Sequence, residues 1–251
     1  MRLFGIIGYP LTHTSSPAYF LEKFKREGIA GCDYRAFPLQ NINEFPALLK
    51  QFPELEGLNV TIPYKEAVLQ YVHHRSAVVE ACGATNCLKI QNGIITAFNT
   101  DAAGFEQSLV PLLQQGHTHA LILGTGGAAK AVAWVLHQRG IQYLFVSRQT
   151  AFQNESTINY SALTSEIINK HKLIINASPA GMFPDADRFP ELNYQWLTPQ
   201  HLLYDLVYKP EKTLFLQKGA EYGAVIKNGY EMLQLQAEAG WGIWTGNAAR
   251  G

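Results

Sequence analysis

Two stretches hold residue types whose order could do chemistry. In "GLNVTIPYK", Gly57 to Lys65, an apolar β-branched run carries Asn59 and Thr61, meets Pro63, and ends on a lysine. An ammonium group at the end of a buried strand is costly unless it is used, and the use open to it is proton transfer to a developing negative oxygen. In "ALILGTGGAAKAV", Gly124-x-Gly126-x-x-Ala129 follows an apolar strand and opens a helix. Glycines there allow a tight turn and bring backbone N–H groups close to a pyrophosphate at a helix N-terminus. A glycine-rich β–α turn can be purely structural, but strand, loop and helix in this order favour a dinucleotide, with Gly124, Thr125, Gly126, Gly127 and Ala128 as its loop.

The following strand, "QYLFVSRQ", ends in Ser147, Arg148 and Gln149, with no acidic residue before Glu155. A chain that binds NAD usually places Asp or Glu here for the ribose 2′-hydroxyl. Arginine in that place can pair with a 2′-phosphate, so NADP(H) is the expected cofactor.

The first half of the chain offers Thr14, Ser15 and Ser16, then Asn59, Thr61 and Lys65, then Asn86, then Asn99, Thr100 and Asp101. Each alone has a structural role open to it: Ser16 or Asp101 as a helix cap, Asn86 or Asn99 as a turn residue. Together they read as a pocket for a small hydroxylated acid. Hydroxyls would hold a carboxylate, amides and a carboxylate would hold ring hydroxyls, and one ammonium group would do the chemistry.

The elements that must position these groups follow from periodicity. "LFGIIG" precedes "SPAYFLEKFKREG", "LNVTI" precedes "YKEAVLQYVHHRSAVVEACG", and "ALILG" precedes "AAKAVAWVLHQRG". This alternation predicts β–α units and a mainly parallel sheet, an α/β fold. Asn92-Gly93 predicts a hairpin turn within "CLKIQNGIITAFNT", and a helix is expected from "NTDAAGF" to Gln115. The expected organisation is an N-terminal α/β substrate domain, 1–101 plus 229–251, and a C-terminal Rossmann-type domain, 102–228, with a cleft between them.

Composition excludes other classes. Twenty basic residues balance 20 acidic ones in 251, without a basic stripe, so nucleic acid is not an expected partner. No apolar run is long enough to span a membrane, and the N-terminus reads as a strand and not as a signal segment. Three cysteines, Cys32, Cys82 and Cys87, match reduced thiols in cytoplasm, and no metal-ligand set is apparent. The adjacent His73 and His74 are expected to be an exposed pair.

In order along the chain, "GYPLTHTSSP", "GLNVTIPYK", "GATN", "NTDAAGF", "GTGGAA", "NASPAGM", "YDLVYKP" and "NGYEMLQLQA" resemble the motifs of the shikimate dehydrogenase family. The resemblance implies reduction of 3-dehydroshikimate to shikimate with NADPH, in the pathway to aromatic amino acids. It implies that Lys65 is the catalytic lysine with Asp101 beside it. It assigns Thr14 and Ser16, assisted by Tyr208, to the substrate carboxylate, and Thr61, Asn86 and Gln236 to the ring. It assigns Ser147, Arg148 and Gln149 to the adenosine phosphate, and Leu206 and Gly229 to the neighbourhood of the nicotinamide. Thr14 stands where the family commonly has serine, Cys87 where threonine is common, and "SRQT" where N-R-T is usual. A quinate or quinate/shikimate dehydrogenase is the alternative among enzymes. A non-catalytic shikimate-binding regulator is disfavoured by the presence of both Lys65 and Asp101. The expected quaternary state is monomer or homodimer.

Overall fold

The computed structural model describes residues 1–12, 14–148 and 156–247; Gln149, named above for the adenosine phosphate, lies outside them. The chain divides into two compact units, Met1–Thr100 with Ala237–Gly251, and Asp101–Gln236. The joints therefore fall at 100/101 and 236/237, where the sequence pattern pointed to 101/102 and 228/229.

The first unit runs β1 (Arg2–Gly8), α1 (Ser16–Arg26), β2 (Cys32–Pro38), α2 (Phe45–Gln51), β3 (Leu55–Val60), β4 (His74–Arg75), α3 (Ala77–Cys82), β5 (Cys87–Gln91) and β6 (Ile94–Phe98). Its sheet has the order β2-β1-β3-β5-β6-β4. β1 lies parallel to β2 and β3, whereas β5 is antiparallel to both β3 and β6. Side chains alternate across β1: Leu3 and Ile7 enter one apolar cluster with Phe45, Leu58 and Val68. Phe4 and Ile6 enter the other, with Phe20, Phe24, Tyr34 and Trp244. Burial on both faces explains why the central strands read as continuous apolar runs. Gly57 serves this second face, since a Cβ there would fall 2.5 Å from the Trp244 ring. The β5–β6 turn places Asn92 and Gly93 at φ 52° and 77°, the left-handed pair that an Asn-Gly hairpin needs.

The second unit runs α4 (Thr100–Leu109), β7 (His119–Leu123), α5 (Gly127–Gln138), β8 (Gln142–Ser147), β9 (Thr157–Asn159), α6 (Ser165–Lys170), β10 (Leu173–Asn176), β11 (Leu202–Asp205), α7 (Leu214–Glu221), β12 (Val225–Lys227) and α8 (Tyr230–Thr245). α8 continues from this unit into the first. The sheet order is β12-β11-β10-β7-β8-β9, every neighbouring pair parallel. This is the doubly wound dinucleotide-binding order, with its reversal point between β7 and β10.

Two expected helices differ. The segment after Pro63 is no continuous amphipathic helix: a 3-10 turn spans Ala67–Tyr71, β4 follows, and only α3 is α-helical. Sheet pairing outweighs helical periodicity there, because His73 N–H donates to Ile95 O at 2.8 Å and β4 pairs with β6. The helix expected to reach Gln115 ends at Leu109, with a 3-10 turn over Val110–Leu112, because Pro111 lacks the donor that would continue it.

Candidate functional site

In the first unit the polar residues of the early motifs collect at the carboxyl ends of β1 and β3, where open α/β sheets place ligands. Thr61 N–H donates to Ile7 O at 3.0 Å and Tyr9 N–H donates to Ile62 O at 3.1 Å, tying "GYP" to "TIP". Gly8 permits the approach, since a Cβ on it would lie 2.4 Å from Thr61 Cγ2. Lys65 sits in the turn that follows, partly buried. Its neighbour Tyr64 is buried, with its hydroxyl donating to Leu39 O at 2.6 Å, and Lys65 O accepts from Thr85 N at 2.8 Å. The lysine's backbone is thus held from both sides, next to Asn86. Since it precedes a 3-10 turn and not an α-helix, no helix dipole acts on it.

Asn86 and Thr100 form a reciprocal pair. Thr100 N–H donates to Asn86 Oδ1 at 2.7 Å, and Asn86 Nδ2 donates to Thr100 Oγ1 at 3.0 Å. Asn59 Nδ2 donates to Asn86 O at 3.3 Å, and Asn59 Oδ1 accepts from the Tyr34 hydroxyl at 2.7 Å. Asn59, buried at 5% exposure, therefore has both ends of its amide engaged within the protein. Ser16 opens α1. Thr14 lies just before that helix and is partly buried. Burial holds the Tyr34 phenol well above its usual range, so it stays protonated. Tyr34 was not recognised from sequence; a tyrosine in an alternating strand is indistinguishable there from ordinary core.

Among residues of the second unit, α4 carries Asp101, buried at 9% exposure, and one turn later Gly104. A Cβ on Gly104 would lie 2.6 Å from Met232 O and 2.9 Å from Gln236 N. The missing side chain lets α4 approach the backbone of α8 beside Gln236.

The glycine loop joins β7 to α5. Gly124 has φ 113°, donates to Val146 O at 2.9 Å, and would carry a Cβ only 3.1 Å from Ala177 O. Gly126 is the N-cap residue, and a Cβ there would meet no atom within 4 Å. The N–H groups of Gly127 and Ala128, first residues of α5, are thus not screened by a side chain. The loop fits the pyrophosphate of a dinucleotide. Thr125 and Ala128 are partly buried, Ser147 ends β8 and is buried, and Arg148 beyond it is exposed. Asn159 Nδ2 donates to Arg148 O at 3.5 Å.

Leu206 and Gly229 come together closely: Gly229 N–H donates to Val207 O at 3.2 Å, and a Cβ on Gly229 would lie 2.1 Å from Leu206 O. Asp205 organises this loop and goes beyond what its motif revealed. Its carboxylate accepts from Asn176 Nδ2 at 2.9 Å, Val207 N at 3.0 Å and Thr213 Oγ1 at 2.5 Å. Burial pushes Asp205 up to about 6 against the opposing pull of these donors. Tyr208 follows in the same loop, partly buried.

Residues 6–88 match the family model described as the shikimate dehydrogenase substrate binding domain. A shikimate dehydrogenase (NADP(+)) from Desulforamulus reducens is 31% identical over 98% of this chain and 90% of its own length. The chain belongs to the shikimate dehydrogenase family. Among solved structures, the shikimate 5-dehydrogenase of Thermus thermophilus in complex with NADP(H) and shikimate is similar with a TM-score of 0.85 and 28% identity, covering 98% of this chain and 94% of its own. Quinate dehydrogenase from Corynebacterium glutamicum in complex with NAD is similar with a TM-score of 0.85 and 26% identity, covering 98% of this chain and 94% of its own. Both enzymes share the family's fold, so backbone similarity does not discriminate between shikimate and quinate. No helix among the described residues is long and apolar enough to cross a membrane.

Proposed function

We propose that this chain is an NADP-dependent shikimate dehydrogenase, which reversibly reduces the ring ketone of 3-dehydroshikimate to the hydroxyl of shikimate. What carries this is that Thr61, Lys65 and Asn86 come from segments tied to one another at one edge of a sheet, in a chain resembling shikimate dehydrogenases from end to end. When bound, the nicotinamide supplies hydride to the carbonyl carbon.

The chain's own residues do the rest. Lys65, as ammonium, stabilises the negative charge gathering on the ketone oxygen and transfers a proton to it; in the reverse direction its neutral amine accepts that proton. Asp101 orients the lysine and an adjacent ring hydroxyl. Thr14 and Ser16 hold the carboxylate, with Tyr208 assisting and the N-terminus of α1 favouring its charge. Thr61, Asn86 and Gln236 hydrogen-bond the ring hydroxyls. Asn59, whose amide is held by Tyr34 and Asn86, joins these ligands with the second hydrogen of its Nδ2. Gly124 to Ala128 carry the pyrophosphate, Ser147 and Arg148 the 2′-phosphate, and Leu206 and Gly229 the wall beside the nicotinamide. The enzyme works in cytoplasm as a monomer or homodimer.

Turnover of shikimate and quinate, each with NADP and with NAD, tests this directly. The expected result is efficient turnover only for shikimate with NADP. Preference for quinate would shift the assignment to the quinate enzymes, with the extra methyl of Thr14 as the first residue to revert. Absence of turnover with all four pairs would overturn the assignment.

A further inference from the structure

We propose that Asp205, paired with Asn176, is a positioning residue for the nicotinamide, which it serves by fixing the backbone of Leu206. The inference rests on the functional assignment above and adds two residues to it. Leu123, Asn176 and Asp205 end β7, β10 and β11, and they lie side by side in register. They stand at the carboxyl ends of three adjacent parallel strands, beside the point where the strand order reverses. Asn176, Asp205 and Thr213 are fully buried.

The hydrogen bonds of this pair reach both loops assigned to the cofactor. Asp205 Oδ1 accepts from Asn176 Nδ2 at 2.9 Å and from Val207 N–H at 3.0 Å, while Oδ2 accepts from the Thr213 hydroxyl at 2.5 Å. The bond to Val207 closes a tight turn around Leu206. Leu206 N–H donates to Asn176 O at 2.9 Å, and Leu206 O would lie 2.1 Å from a Cβ on Gly229. The backbone of Leu206 is thus held on both sides by the pair. On its other side Asn176 Oδ1 accepts from Ser178 N–H at 3.1 Å and from Ser178 Oγ at 2.6 Å, and Nδ2 also donates to Ala180 O at 3.1 Å. Every donor and acceptor site of that amide is then used. The segment it holds packs on the glycine loop, since a Cβ on Gly124 would lie 3.1 Å from Ala177 O and 3.3 Å from Ser178 N.

One pair of buried side chains therefore sets the spacing between the pyrophosphate loop and the wall beside the nicotinamide. None of the three donors to Asp205 is a cation, so burying its carboxylate is costly. An apolar pair of the same shape would serve stability equally well, but it would not hold Leu206 by directed bonds. A misplacement of about 1 Å in a reacting group can cost about a hundredfold in rate, which is where such rigidity acts.

The test compares Asp205→Leu, close in volume to the parent, with Asp205→Asn, which keeps an oxygen for Asn176 and Val207 while Thr213 accepts from the new amide. Calorimetry gives Kd for NADPH and for 2′-phospho-ADP-ribose, which lacks only the nicotinamide ring. Asp205→Leu should raise the Kd for NADPH about five- to tenfold and leave that for 2′-phospho-ADP-ribose within about twofold. Its kcat should fall about ten- to a hundredfold, with a larger isotope effect from NADPH deuterated at the transferred hydrogen and a KM for shikimate within about twofold of the parent. Asp205→Asn should restore most of each loss. Equal losses for both ligands, or none for either, overturn the proposal, as does an Asp205→Asn variant as impaired as Asp205→Leu. Where Asp205→Leu does not fold, Asn176→Ala breaks the pair from the other side and should give the same split. Failure of both variants to fold would mark the pair as purely structural and also overturns the proposal. Parent protein that binds NADPH but turns over no shikimate refutes the activity, while the two Kd values still read the pair. Parent protein that does not bind NADPH refutes both.

Discussion

At the residue scale the proposed proton donor is Lys65, whose backbone is held by Thr85 while its neighbour Tyr64 is anchored to Leu39. General acid–base assistance contributes about 10²- to 10⁴-fold. Lys65→Ala should lower kcat by that order while leaving a folded protein. Near-normal turnover in the folded variant would remove it as proton donor. Arg148 is exposed at the end of β8, where its loss touches no packing. Losing a charge-assisted bond to phosphate costs roughly 1.5–3 kcal/mol, a factor of about ten to a hundred. Arg148→Ala should raise the KM for NADPH by that factor and hardly alter the KM for NADH; equal changes would refute the 2′-phosphate contact. Residue identities in ordered motifs made Lys65 and Arg148 legible in the sequence. The partners of a buried amide were not, so the hydrogen bonds of Asn59 to Tyr34 and Asn86 could not be read from the sequence.

At the scale of elements, glycine decides how closely backbones approach. Gly104 lies inside α4, where alanine would favour the helix by about 1 kcal/mol. Against this, a Cβ would meet Met232 O at 2.6 Å and Gln236 N at 2.9 Å, backbone atoms that cannot rotate away. Overpacking of this kind costs about 1–3 kcal/mol, so the clash outweighs the propensity. Gly104→Ala should lower the thermal midpoint by a few degrees and reduce kcat/KM, because α4 carries Asp101 and α8 carries Gln236. A more stable variant of full activity would show that α4 and α8 can part without harm. The same scale holds the two helices that the sequence misjudged. An amphipathic period between Tyr64 and Gly83 was real, but β4 found a partner in β6, and a pairing distant in sequence is invisible to a local pattern.

For the whole molecule, acid stability reflects what the folded chain encloses. His117, His171 and His201 are buried, and burial lowers each below its usual value. Their unfolded value is about 6.5. As pH falls through that value the unfolded chain takes up protons that the folded one resists, so stability is lost below about pH 6.5. Asp205 acts in the opposite sense: raised from 3.8 to about 6, it contributes stability below about pH 4 that is lost as pH rises toward 6. His201 is fully buried, with Nε2 donating to Ile168 O at 3.0 Å and Nδ1 accepting from Thr198 N at 3.0 Å. Thermal midpoints measured from pH 7.5 to 5 should fall less steeply for His201→Gln than for the parent. An equally steep decline would show that His201 does not contribute to the acid sensitivity.

The sequence by itself determined the α/β alternation, the glycine loop, the arginine after the next strand, and the lysine ending the apolar run of β3. Each is written in neighbouring residues, because strand period, helix capping and turn chemistry act over a few positions. Only the tertiary structure decided which of the buried polar groups serve one another. Tyr34 is separated from Asn59 by 25 positions, and Asp205 from Asn176 by 29; the first pair meets across β1, and the second lies on adjacent parallel strands. A buried polar atom must find its partner in space, and that search leaves no local mark in the chain.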